Sequence, residues 1–63
     1  MMQLSDIGRR VSWTKCSGER TFGTIIGIGS KMGDKTMFYA VQIEGEDEEA
    51  VELFPEYRVR FVS

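Results

Sequence analysis

The chain has 63 residues, of which eight are basic and ten are acidic, so its formal net charge is −2. This length is typical of one domain and too short for two. A single cysteine excludes an internal disulfide, and the lack of histidine removes the commonest metal ligand and general acid–base residue near neutral pH.

The N-terminal part of the chain predicts a strand followed by a turn. Residues 8–13 alternate between the two faces of an extended chain, which places Val11 and Trp13 on one face. Residues 15–20 are rich in polar residues and glycine, which is typical of a turn.

A second strand is predicted over residues 21–28. Period-two alternation places Gly23 and Gly27 on the same face as Ile25. The residues of the opposite face are Phe22, Thr24, Ile26 and Ile28. Glycines inside a strand usually mark a bulge, a bend or the close approach of another backbone, so we expect this strand to curve.

Three further strands are predicted in the second half of the chain. Residues 29–35 form a loop, residues 36–43 are dense in β-forming side chains, and residues 50–54 alternate with Val51 and Leu53 facing one way. Pro55 ends the fourth strand and begins a short 3₁₀ turn. The last strand covers residues 58–62, with Val59 and Phe61 predicted to face the core.

Five short strands without any helical periodicity indicate an all-β protein. We predict a five-stranded SH3-like small barrel, with a short 3₁₀ turn before the last strand, as a single domain over residues 1–63. Closure of the sheet would remove most exposed strand edges. The alternative is an open five-stranded sheet of the OB type.

Composition also indicates where the protein works. Hydrophobic residues make up 41% and charged residues 29% of the chain, as in ordinary globular domains. No apolar run has the roughly 18 residues of a membrane span, and the N-terminus lacks a signal-peptide pattern. Because a lone thiol suits a reducing compartment, we expect a cytoplasmic protein without a membrane partner.

Searches for a catalytic or metal site find no residue set to support one. The sequence contains no Ser/His/Asp set, no Cys/His pair, no cluster with metal-ligand spacing and no P-loop. Cys16 follows Lys15, but no histidine is present to act as its base. We therefore predict no catalytic residue, no bound metal and no cofactor.

The charges are distributed unevenly along the chain. Residues 44–57 contain only acidic charges, namely Glu44, Glu46, Asp47, Glu48, Glu49, Glu52 and Glu56. Most basic residues precede this segment, and Arg58 and Arg60 follow it. The molecule should thus have a basic side and an acidic end, and the acidic end would repel nucleic acid.

The seven aromatic residues are too many for the core of so small a barrel. Some of them should therefore face a partner, and aromatic and arginine side chains supply most interface energy. The predicted contact residues are Trp13, Tyr39, Phe54, Tyr57, Arg9, Arg10 and Arg58. We interpret the protein as a non-catalytic binding or adaptor module for an acidic protein partner, or for a second copy of itself as a homo-oligomer.

Nucleic-acid binding is an alternative interpretation. The arginines that would form a basic strip along the first and last strands are Arg9, Arg10, Arg58 and Arg60. Such a strip beside stacking aromatics is typical of single-strand binding grooves. The acidic segment argues against it, so this interpretation ranks below a protein partner.

The order of several short motifs resembles the plasmid-type (type II) dihydrofolate reductases. These motifs are Gly8-x-Arg10-Val11, Lys15-x-Ser17-Gly18, Gly23-x-Ile25-Ile26-Gly27, Tyr39-Ala40-Val41 and Val51-Glu52-Leu53-Phe54-Pro55. The resemblance implies an SH3-like barrel from a bacterial or phage source. It also implies a second alternative function, a tetrameric NADPH-dependent enzyme with one central pore.

The residues that would line this pore are Lys15, Glu52, Leu53 and Phe54. Lys15 matches the family lysine that attracts anionic ligands. Glu52 replaces a glutamine, and a carboxylate only accepts hydrogen bonds where an amide also donates them. Thr21 stands where the family usually has an interface tryptophan. The resemblance therefore supports the barrel more strongly than the reductase activity.

Overall fold

A computed structural model describes residues 2–30, 36–45 and 50–62 of the chain. Its elements are a 3₁₀ turn at Leu4–Asp6, strands β1 (Arg10–Thr14), β2 (Arg20–Ser30), β3 (Met37–Ile43) and β4 (Val51–Pro55), a second 3₁₀ turn at Glu56–Arg58, and strand β5 (Arg60–Phe61). The predicted all-β class, the five strands and the 3₁₀ turn before the last strand are confirmed. The turn at Leu4–Asp6 was not predicted.

The five strands form one antiparallel sheet in the order β4-β3-β2-β1-β5. Strands β4 and β5 lie at its two edges, so the predicted closure into a barrel is not found in the strand pairing. Strand β5 has only two residues, which pair with Val11 and Ser12 of β1. Because β5 ends there, it offers no continuous ladder to β4.

The sheet nevertheless coils strongly around one core. Trp13 on β1 and Phe54 on β4 have ring centroids 4.6 Å apart, although two strands intervene in the sheet order. Three strand spacings in a flat sheet would separate them by about 14 Å. Tyr39 on β3 and Phe61 on β5, which are also three spacings apart, lie at 6.0 Å. The two ends of the sheet therefore curve toward each other.

The buried core draws on every strand except β5. Its members are Val11, Trp13, Ile25, Tyr39, Val41, Phe54 and Val59. Val11 and Trp13, which were predicted to share a face of the first strand, are both buried, and the predicted inward position of Val59 is confirmed. Phe61, also predicted to face inward, lies opposite the buried Val11 and contacts the Tyr39 ring, but it is 38% exposed because its edge strand has a neighbour on one side only.

Strand β2 contains a β-bulge between Ile25 and Gly27, where its register against β3 shifts. The extra residue, Ile26, is 47% exposed. Beyond the bulge Ile28 packs against the core, on the same side as Ile25. The sequence prediction put Ile25 and Ile28 on opposite faces, which is wrong because a bulge inverts the alternation.

Strand β2 also continues to Ser30, so the predicted loop begins later than expected. The rest of that loop, residues 31–35, lies outside the described residues, as does the acidic stretch at residues 46–49. In the described parts of the chain, neither helical segment is long and apolar enough to cross a membrane.

Candidate binding site

A groove of about 410 Å³ lies along the outside of β1, between the start of β2 on one side and β5 on the other. We call it the basic groove. It is lined by Ser12, Trp13, Thr14, Arg20, Tyr57, Arg58 and Arg60. None of these seven lining residues is acidic.

Strand register brings four of the lining side chains to one face. Thr14 lies opposite Arg20 in the β1–β2 pair, and Ser12 lies opposite Arg60 in the β1–β5 pair. Residues directly opposite each other in an antiparallel pair share a face of the sheet. Arg20 and Arg60 therefore lie on the same face although 40 positions separate them in the sequence.

Three arginines of the groove, Arg20, Arg58 and Arg60, are exposed to solvent. The ion pairs found among the described residues involve Arg9 and Arg10 but none of these three. Three cations that form no ion pair with the described residues create a positive potential, which attracts anions. Arg20 was not among the residues predicted from the sequence.

Tyr57 stands at the rim of the basic groove and is 84% exposed. The second 3₁₀ turn holds it next to Arg58. A rigid aromatic ring with a polar tip is well suited to partner contact. The structure thus places two of the predicted contact residues, Tyr57 and Arg58, side by side and open to solvent.

Three other predicted contact residues are not on the surface. Trp13 is 7% exposed, Tyr39 1% and Phe54 7%, so their predicted surface exposure is wrong. The physical reason is the coil of the sheet, which brings Trp13 and Phe54 into contact across the core. A ligand can reach only the part of Trp13 that borders the basic groove.

Arg9 and Arg10 contact their own chain instead of forming a strip with Arg58 and Arg60. Arg10 donates two hydrogen bonds to Glu44, at 2.6 and 2.9 Å, and its guanidinium lies 4.4 Å from the centre of the Phe22 ring. The hydrogen bonds from Arg10 lower the pKa of Glu44, and Glu44 in turn raises the pKa of Arg10.

Arg9 makes contacts with other residues than Arg10 does. Its guanidinium is 3.8 Å from the centre of the Phe61 ring and 3.6 Å from a carboxylate oxygen of Asp6. The predicted continuous strip of four arginines is therefore wrong. Successive residues of a strand point to opposite faces, which separates Arg9 from Arg10.

A second groove, of about 420 Å³, adjoins the first and shares Trp13, Thr14 and Arg58 with it. Its other lining residues are Lys15, Cys16, Thr21, Ile43, Glu52 and Phe54. Three of the four residues predicted for a pore, Lys15, Glu52 and Phe54, thus meet in one groove. The exposed Cys16 thiol also lies here.

Leu53 is separated from the other predicted pore residues. It is 57% exposed and lines a small hollow of about 100 Å³ with Gly29, Ser30 and Phe38. Because successive residues of β4 face opposite ways, Glu52 and Phe54 share one face and Leu53 lies on the other.

No metal-ligand set occurs in the part of the chain that the structure describes. The cysteine, aspartate and glutamate side chains described there form no group of three or more close enough to hold an ion. Comparisons with protein-family models, with curated proteins and with solved structures found no match to this chain. The resemblance to type II dihydrofolate reductases therefore stays a prediction.

Proposed function

We propose that this protein is a small, non-catalytic binding module that holds an acidic protein segment in the basic groove. The main support is the set of three arginines, Arg20, Arg58 and Arg60, which line the groove without an acidic neighbour among its lining residues. Tyr57 at the rim supplies the aromatic contact that partner-binding surfaces commonly use.

The proposed fold is an SH3-like small barrel whose last strand is too short to complete the pairing. Its support is the coil of the sheet, together with the length and bulge of β2. Strand β2 pairs with β1 through residues 20–24 and with β3 through residues 23–30, so it belongs to both halves of the molecule.

The proposed setting is the bacterial or phage cytoplasm. The setting follows from the exposed thiol of Cys16, which suits a reducing compartment, and from the family resemblance. A second copy of the chain is one possible acidic partner, because residues 44–57 carry seven acidic side chains and no basic one. Such self-association would join the acidic end of one copy to the basic groove of another.

Trp13 provides a direct test of this proposal. It is the only tryptophan of the chain and borders the basic groove, so its fluorescence should report an occupant. We expect an octaglutamate peptide to change Trp13 emission at low ionic strength, and we expect added salt to weaken the binding. Arg58→Gln should reduce the affinity, because it removes one of the three arginine charges.

Arg9→Gln is the matched control, since it removes the same charge from a residue outside the groove. The proposal is wrong if octaglutamate leaves the Trp13 emission unchanged, or if both variants lose affinity equally. Sedimentation at low and high salt, without peptide, would identify a second copy as the occupant. An oligothymidylate that binds far more tightly than octaglutamate would favour the nucleic-acid interpretation instead.

A reductase of the type II class is the second candidate, favoured by the meeting of Lys15, Glu52 and Phe54 in one groove. The residues do not fit NADPH well, because the Glu52 carboxylate beside Lys15 repels an anionic dinucleotide. Native mass spectrometry and an NADPH-oxidation assay with dihydrofolate provide the test. A monomer, or an oligomer without turnover, would exclude this candidate.

A further inference from the structure

We infer that the acidic group held in the basic groove is a phosphorylated side chain of the partner segment. This inference rests on the proposed function and specifies its ligand. The phosphoryl group would sit among Arg20, Arg58 and Arg60, where the groove meets the cross-strand pairs of β1.

The number of charges favours phosphate over carboxylate. A phosphorylated side chain carries a charge of about −1.5 to −2 at neutral pH and has three strong acceptor oxygens. A carboxylate carries one charge on two oxygens. Three guanidinium groups carry three positive charges, so a phosphate balances more of their charge than a carboxylate does, and it offers one acceptor oxygen to each arginine.

The type of cation suits an anion with several acceptor oxygens. All three cations of the groove are arginines, and the planar guanidinium forms two parallel hydrogen bonds with a phosphate or carboxylate. The remaining polar side chains of the groove are the hydroxyls of Ser12, Thr14 and Tyr57, which can all donate hydrogen bonds. Every polar side chain that lines the groove can therefore donate to an anion.

The surrounding charges favour a single phosphoryl group over a nucleic-acid strand. Glu19 precedes Arg20 in the chain, Glu56 precedes Tyr57 in the 3₁₀ turn, and Glu52 lines the adjoining groove. All three are exposed. These acidic neighbours disfavour a polyanionic strand, which needs a basic track along several phosphates.

The sharpest test compares two peptides with the ¹⁵N-labelled chain. One is an alanine heptapeptide with a central phosphoserine, and the other carries glutamate at the same position. We expect the phosphoserine peptide to shift the Nε–H signals of Arg20, Arg58 and Arg60, and to bind roughly tenfold more tightly than the glutamate peptide. Inorganic phosphate should compete with it.

The dependence of binding on pH provides a second readout. Because the chain has no histidine, the ordinary pKa values of its side chains all lie outside the range from about pH 5 to pH 7.5. The second ionisation of phosphoserine lies near pH 6. Affinity for the phosphoserine peptide should therefore rise across this range, while affinity for the glutamate peptide should stay constant.

Variants assign the effect to the groove. Arg20→Gln and Arg58→Gln should each weaken phosphoserine binding, and Arg58→Lys should restore part of it because lysine keeps the charge without the fork of donors. Arg9→Gln should bind like the original chain. Circular dichroism of each variant checks that the fold is retained.

The outcomes separate this inference from the proposed function. If both peptides bind with equal affinity and equal pH dependence, phosphate recognition is wrong and the acidic-segment module stands. If neither peptide nor octaglutamate binds, both are wrong. If the phosphoserine peptide binds but Arg9→Gln weakens it as much as Arg58→Gln does, the groove is not the site and the inference is also overturned.

Discussion

Asp6 and Tyr39 form a buried polar pair that links the N-terminal turn to the core. The Tyr39 hydroxyl donates a hydrogen bond of 2.9 Å to Asp6, which also accepts one of 3.0 Å from the backbone N–H of Gln3. The hydrogen bond from Gln3 is the main reason why the pKa of Asp6 is lowered. Burial and the neighbouring Asp6 raise the pKa of Tyr39 to about 12.

Replacing Tyr39 by phenylalanine tests this pair. Tyr39→Phe should lower the midpoint temperature of unfolding by about 5 °C at neutral pH, because Asp6 loses a hydrogen bond. Tyr57→Phe removes the hydroxyl of a residue that is 84% exposed, so its midpoint should stay the same. Equal midpoints for Tyr39→Phe and the original chain would contradict the stabilising role of the pair.

The free energy of unfolding should fall at both alkaline and acidic pH. The pKa of Tyr39 is raised in the folded state, so its contribution is complete below about pH 10 and is lost as pH rises toward about 12. The pKa of Asp6 is lowered, so its contribution is complete above about pH 4 and is lost as pH falls further. Urea unfolding across pH should show both losses, and Tyr39→Phe should lack the alkaline one.

At the scale of elements, Gly23 allows β2 and β3 to approach each other closely. A Cβ atom added at Gly23 would lie 2.6 Å from the carbonyl oxygen of Gln42 and 2.6 Å from a methyl carbon of Val41. It would also lie 3.1 Å from the Trp13 ring. A backbone oxygen held in a ladder cannot move aside easily, so this position requires glycine.

Gly23→Ala should therefore destabilise the fold by about 1–3 kcal/mol through overpacking. Gly29 is the matched control on the same strand, because an added Cβ there meets nothing within 4 Å. Gly29→Ala should be neutral or stabilise by about 0.5 kcal/mol, since alanine costs less conformational entropy in a strand. Urea denaturation measures both, and equal stabilities would contradict the close approach.

At the scale of the whole molecule, the contact between Trp13 and Phe54 joins strands from opposite parts of the coiled sheet. A domain of this size has a free energy of unfolding of only about 3–9 kcal/mol. Removal of a buried aromatic ring costs about 3–5 kcal/mol. A single core contact is therefore comparable with the stability of the complete domain.

Phe54→Ala should leave much of the protein unfolded at room temperature, and Phe54→Leu should give an intermediate stability. The neighbouring Leu53 is 57% exposed and makes a matched control. Leu53→Ala should change stability by no more than about 0.5 kcal/mol. Circular dichroism and Trp13 fluorescence in urea provide the measurement, and a fully folded Phe54→Ala would show that the coil does not depend on this contact.

The sequence correctly predicted the features that depend only on residues close together in the chain. Alternation correctly placed Val11 and Trp13 on one face, because two residues of one strand keep their relative direction without help from the rest of the fold. It failed at Ile28, because the chain around Gly27 is compatible with either a straight or a bulged strand. The pairing with β3 decides between them.

The candidate site was predicted only in part. Tyr57 and Arg58 were chosen correctly as exposed neighbours, since Pro55 signals the turn that presents them. Arg20 was missed because it reaches the groove through its register opposite Thr14. Arg10 was assigned to a partner, yet it pairs with Glu44, 34 positions away in the chain.

The amino-acid order alone determined the β class, the number of strands, the turn after Pro55 and the separation of basic from acidic segments, because each depends on local geometry or on composition. The tertiary structure decided which aromatic rings are buried and which arginines form ion pairs among the described residues. Those outcomes depend on how tightly the sheet coils and how its strands align, and both are set by contacts between residues far apart in the chain.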